Sequence, residues 1–90
     1  MSVKINIPDY LSYLANDQDV FEIQGSTVGQ CLEQLVAKYP GLRDWLFGKD
    51  GNLRRTVDVY VNMESTYPEE LAKPVKDGDE LHIIIIISGG

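Results

Sequence analysis

Ninety residues with 43% hydrophobic content suffice for one domain with a single modest core, and exclude both a disordered chain and a two-domain one. The net charge of −6 argues against nucleic acid or an anionic membrane as partner and suits docking to a basic protein surface. One cysteine excludes an internal disulfide and cannot form a zinc site with the single histidine, so no bound metal or cofactor is expected.

No basic segment followed by a long apolar core opens the chain, so no signal peptide and a cytoplasmic location are expected. Ser2–Ile7 alternates, with Val3, Ile5 and Ile7 on one face, which predicts a half-buried strand closed by Pro8. In the next stretch Tyr10, Leu11, Tyr13 and Leu14 are placed to cover a core edge, before the polar turn Asn16–Asp19. Val20–Gln24 predicts a second strand, antiparallel to the first. After Gly25 the period changes. Val28, Cys31, Leu32, Leu35, Val36 and Tyr39 follow the three-four spacing of one helical face, with Thr27 and Gln30 as a capping box and Pro40-Gly41 as the stop. Cys31 lies on the apolar stripe and reads as a small buried hydrophobe rather than a catalytic thiol.

Leu42–Phe47 predicts a short second helix whose aromatics close one end of the core, followed by a turn at Lys49–Asn52. Thr56–Val61 alternates again, with Val57, Val59 and Val61 inward and Tyr60 outward. Asn62–Ser65 is a turn, Tyr67–Pro74 an irregular crossing segment, and Asp77-Gly78-Asp79 the turn into the last strand. Leu81–Ile87 is dominated by isoleucine, stiff at χ1 and suited to a pleated backbone, which predicts a central strand parallel to the first. It is far too short to span a bilayer. Ser88-Gly89-Gly90 follows, read as a flexible tail beyond a domain of residues 1–87. Glycines without Cβ atoms let a backbone enter a narrow channel, and three residues reach about 10 Å, so the Gly90 carboxylate is the candidate reactive group and Gly89 its slim approach.

Strand, strand, helix, strand and a final central strand give an α+β, β-grasp arrangement: a mixed sheet packed on one main helix. The ordered set Gly25-Ser26-Thr27-Val28, Tyr39-Pro40-Gly41-Leu42, Val59-Tyr60-Val61-Asn62, Asp77-Gly78-Asp79-Glu80 and Ser88-Gly89-Gly90 resembles ubiquitin-like sulfur carriers of the MoaD/ThiS type. The long Tyr39–Arg55 connection is most similar to the molybdopterin-synthase small-subunit type. That resemblance implies a carrier and not an enzyme. A ubiquitin-activating-type enzyme would use ATP to adenylate Gly90, sulfur would replace AMP to leave a thiocarboxylate, and a sulfur-accepting synthase would take the sulfur. A ubiquitin-like modifier joined through Gly90 to target lysines is the alternative, and an interaction domain with an incidental Gly-Gly the third reading.

One departure from the family is Ile85-Ile86-Ile87, where proline is common, and it predicts a strand carried further toward the tail. By alternation Ile84 and Ile86 face away from the helix and, with Tyr60, predict an exposed apolar partner-binding patch beside Ser88. His82 faces the same way and reads as a half-exposed surface residue. Ubiquitin is similar here, with Leu-His-Leu-Val where this chain has Leu81-His82-Ile83-Ile84.

Overall fold

The alternating apolar residues near the N-terminus do form a strand, β1 (Ser2–Asn6), in the computed structural model, which describes residues 1–86. Val3 and Ile5 are buried and Lys4 is exposed, as period-two alternation requires. Strand β2 (Val20–Gln24) pairs with it antiparallel, from Ser2 opposite Gln24 to Asn6 opposite Val20. The segment between them is a 3-10 helix over Asp9–Leu14, which buries Leu11 and leaves Tyr10 and Tyr13 largely in solvent.

Helix α1 (Val28–Lys38) buries Val28, Cys31, Leu32, Leu35 and Val36 against the sheet. Its cap differs in one detail from the expected box. The Gln30 N–H donates to Thr27 Oγ1 at 3.1 Å, but the Gln30 amide oxygen accepts from Ser26 N–H at 2.8 Å, one residue before the cap. Both bonds satisfy amides at the start of the helix. Gly25 is required by close approach, since a Cβ there would lie 2.7 Å from Cys31 Sγ.

The chain then makes a 3-10 turn at Pro40–Leu42 and a single helical turn, α2 (Arg43–Leu46). Leu42, Leu46 and Phe47 close this end of the core, whereas Trp45 is 41% exposed and takes no such part. One turn cannot bury three consecutive side chains on one side, so Trp45 points outward. Strand β3 (Val57–Val61) buries its three valines. The expected turn at Asn62–Ser65 contains a further short strand, β4 (Glu64–Ser65), antiparallel to β3 across a tight turn with positive φ at Asn62 and Met63.

The crossing segment, with a 3-10 turn at Glu70–Ala72, is tied to the helix start: Val28 N–H donates to Lys73 O at 2.9 Å and Val75 N–H to Ser26 O at 3.0 Å. The turn into the last strand has Gly78 at φ +89°. Its Asp79 carboxylate accepts from Lys76 N–H at 2.8 Å and the Asn62 amide at 2.9 Å. Those donors hold the Asp79 carboxyl below its usual range, the Lys76 N–H contributing most.

Strand β5 covers Glu80–Ile85, not Leu81–Ile87. Among the described residues the sheet order is β2-β1-β5-β3-β4, with β5 parallel to β1 and antiparallel to β3. The β3 ladder runs to Val57 opposite Ile85, and a last bond joins Ile86 N–H to Thr56 O at 2.7 Å. Strand length is set here by where the partner begins rather than by isoleucine propensity. Ile87 and the Ser88-Gly89-Gly90 segment, predicted as strand end and flexible tail, lie outside the described residues.

Leu35 is fully buried between α1 and the sheet. Leu35→Ala is expected to cost about 2–5 kcal/mol, a large part of the roughly 5–15 kcal/mol available to a domain of this kind. Urea unfolding followed by circular dichroism checks it, and an unmoved midpoint would mean the helical face packs elsewhere.

Candidate functional site

The predicted reactive group, Gly90, with Gly89 and Ser88, lies outside the described residues. The root from which that segment leaves is described. Two interruptions of strand pairing shape it.

The first is at Pro8. Proline has no N–H to donate, and the pairing of β1 with β5 stops at Asn6 opposite His82. Beyond that point β5 has a ladder partner on the β3 side only. The gap left beside Ile83, Ile84 and Ile85 is a hollow of about 310 Å³, walled on the far side by Ile7, Pro8 and Tyr10. Tyr10 is thus a site residue that the sequence placed at a core edge. It could have been found from Pro8, which turns the chain back over the end of the sheet. The second is at the start of β3, where Ile86 lies against Thr56 and borders another hollow, of about 380 Å³, with Arg54, Arg55, Asp58, Tyr67 and Glu70.

Ile84 is 44% exposed and Ile86 57% exposed, both on the sheet face away from α1. Exposed isoleucines on an uncovered sheet face are the kind of surface that binds partners. Each borders a hollow of its own, Ile84 toward β1 and Ile86 toward β3. Tyr60 is half-buried on the same face but stands opposite His82, whereas Ile84 stands opposite Asp58. The direct neighbour of Ile84 is therefore a carboxylate, held by the Ser65 hydroxyl at 2.9 and 3.0 Å.

His82 is half-buried in the middle of the face, its side chain 34% exposed, with Nε2 3.8 Å from Glu80 Oε2. The Asn6 amide donates to the same carboxylate oxygen at 2.9 Å and to Leu81 O at 3.2 Å, which crosslinks β1 and β5. His82 Nδ1 is buried without a hydrogen-bond partner among the described residues. Cys31 is fully buried under the sheet, and burial pushes its thiol up from the ordinary value, the opposite of what a reactive thiolate needs. Among the described residues no three His, Cys, Asp or Glu side chains are grouped to hold a metal ion. No helix of the described residues is long and apolar enough to cross a membrane.

The exposure of Ile84 implies that charge is tolerated there. Ile84→Lys, which would stand opposite the Asp58 carboxylate, is expected to change folding stability by no more than about 0.5 kcal/mol, as exposed positions usually do. A thermal melt checks it, and unfolding of the variant would show that Ile84 belongs to the core.

Residues 5–90 match the ThiS family, and the chain belongs to that family. Sulfur carrier protein CysO of Mycobacterium tuberculosis is 32% identical over 93 aligned positions, covering 100% of both chains. Small archaeal modifier protein 1 of Haloferax volcanii is 37% identical over 65 positions, covering 72% of this chain and 71% of the relative. Among solved structures, a chain of the Amycolatopsis orientalis BexX/CysO complex superposes with a TM-score of 0.88 at 30% identity, covering 98% of this chain and 99% of that one. The fold is therefore the ubiquitin-like β-grasp, and the chain is a small carrier-type protein, not a catalyst.

Proposed function

We propose that this ThiS-family chain is a sulfur carrier that works through the carboxylate of Gly90. A carboxylate resists nucleophiles because oxide is a poor leaving group. Transfer to the α-phosphate of ATP, with loss of pyrophosphate, converts it to an acyl-adenylate from which AMP leaves readily. Sulfide-level sulfur then displaces AMP and leaves a thiocarboxylate. ATP and the acid–base groups belong to a ubiquitin-activating-type enzyme, and the chain binds no cofactor of its own. What the carrier supplies is presentation: Gly89 and Gly90 offer backbone without side chains, so they can thread a channel.

The observation that carries the reading is the full-length likeness to a named sulfur carrier, together with Ser88-Gly89-Gly90 following in sequence a central strand that ends at Ile85. In this reading Ile84, Ile86, Tyr60 and His82 form the docking face for the activating enzyme and for the enzyme that accepts the sulfur, and Ser88 lies where the tail enters them. The acceptor is a biosynthetic enzyme, and the length of the Tyr39–Arg55 connection supports a molybdopterin-synthase type. The exposed apolar face suits protein partners, whereas the charge of −6 disfavours nucleic acid and anionic membranes. A cytoplasmic site of action fits a thiocarboxylate chemistry that needs ATP. A second reading, conjugation of Gly90 to lysines of other proteins, is favoured by the likeness to the Haloferax modifier. It shares the adenylation step.

Removing Gly90, or adding one residue after it, is expected to abolish ATP-dependent activation and to leave the melting temperature unchanged. AMP and pyrophosphate release with the activating enzyme is the measurement, and undiminished release from the extended chain would sink the claim.

A further inference from the structure

Along a strand the backbone groups of successive residues serve opposite neighbours, and the register of β5 says which side each residue serves. On the β3 side the Asn62 N–H reaches Glu80 O at 2.8 Å and the Ile86 N–H reaches Thr56 O at 2.7 Å. Glu80, His82, Ile84 and Ile86 therefore turn their N–H and C=O groups to β3, and Leu81, Ile83 and Ile85 turn theirs to the β1 side. The pairing with β1 ends at Asn6 opposite His82. Continued in register, residue 8 would stand opposite Ile84, its N–H meeting the Ile83 carbonyl and its carbonyl the Ile85 N–H. Residue 8 is proline, which has no N–H, and its carbonyl accepts from the Leu11 N–H at 3.0 Å instead. Among the described residues nothing else bonds the Ile83 carbonyl or the Ile85 N–H. Both residues line the 310 Å³ hollow.

The outer edge of β2 is guarded by contrast. There Val20, Glu22 and Gln24 turn their backbone groups outward, and the Glu22 carboxylate in the middle would face its own copy in any twofold pairing. No Asp, Glu, Lys or Arg side chain lines the hollow beside Ile85, and Tyr10 on its wall is 49% exposed. The hollow also lies where a tail-binding enzyme has to come. Four residues follow Ile86 and span at most about 14 Å when extended, so a surface that holds Gly90 approaches Ile86 within that distance.

We propose that the enzyme that activates Gly90 lays an extended, proline-free segment of its own chain in this gap. One residue of that segment takes the register position opposite Ile84, gives its N–H to the Ile83 carbonyl and accepts the Ile85 N–H. Its side chain falls on the open face beside Ile84 and Tyr10, because opposed residues of a ladder share a face, and an apolar side chain suits those neighbours. The inference rests on the sulfur-carrier reading and adds how the partner is held. In strand addition the main-chain bonds supply affinity and the side-chain pocket supplies selectivity.

Hydrogen exchange read at single amides, on the full chain alone and with saturating activating enzyme, tests this. In the free chain the Ile85 N–H is expected to exchange at least about tenfold faster than the Ile83 and Ile84 N–H groups, which the ladders to β1 and β3 hold. With the enzyme present it should slow about tenfold or more, while the Glu22 N–H stays fast. Steady-state activation supplies a second readout. Tyr10→Asp is expected to raise KM for the carrier about tenfold with kcat unchanged. Tyr13→Asp, the same change at a 66% exposed position outside the hollow, should leave both constants unaltered. An Ile85 N–H already protected in the free chain overturns the proposal, whether the chain itself fills the gap or, with protection growing with concentration, a second copy does. An Ile85 N–H that stays fast in the complex overturns it too, as do equal KM values for the two tyrosine variants. A chain that is not adenylated at all brings down the carrier reading and this inference with it. A chain that is adenylated while its Ile85 N–H stays fast in the complex brings down this inference alone.

Discussion

Everything in this fold hangs on one strand that has neighbours on both edges and a helix on only one face. Strand β5 lies between β1 and β3, so its backbone groups are satisfied in the sheet while its side chains must alternate. Leu81 and Ile83 are drawn into the core under α1. The same pleat sends His82 and Ile84 to the other side, which no element among the described residues covers. The exposed isoleucines are thus not a packing defect. They are the necessary other half of a buried central strand, and the second helix, α2, is a single turn that closes one end of the core instead.

What could be read from the sequence follows from which forces were local. The face of α1 repeats every three to four residues, and Thr27 with Gln30 closes its start, so both were legible without knowing the sheet. The buried position of Cys31 came from the same stripe. The pairing of β5 with β1 was legible because a fully apolar run has to be buried. The end of β5 was not, because isoleucine would continue a strand indefinitely and only the start of its partner at Val57 stops it. Strand β4 has two residues, too few to alternate, and its pairing depends on positive φ at Asn62 and Met63, where glycine is absent. Trp45 was misplaced because its size suggests burial, while a single helical turn leaves it no core to face. Tyr10 became a site residue only when Pro8 was seen to open the gap beside Ile84.

The site itself divides in the same way. The chemistry proposed for the Gly90 carboxylate behind Gly89 was read from the letters alone, while residues 5–90 match the ThiS family. How a partner is held is a matter of tertiary geometry. Fully burying an isoleucine side chain is worth about 1.5–3 kcal/mol, so covering the exposed halves of Ile84 and Ile86 contributes on the order of 2 kcal/mol together. Micromolar binding needs about 8 kcal/mol. Covering these two isoleucines alone therefore falls well short of what micromolar binding to a partner requires.

The central claim is that sulfur, and not another protein, is what Gly90 receives. Intact-mass analysis of the chain after incubation with the activating enzyme, ATP and sulfide tests it most directly. The account predicts a single species heavier by the exchange of one oxygen for one sulfur, with the change confined to the fragment that contains Gly89 and Gly90. A chain recovered at its original mass, or found only as a conjugate to lysines of other proteins, would contradict it.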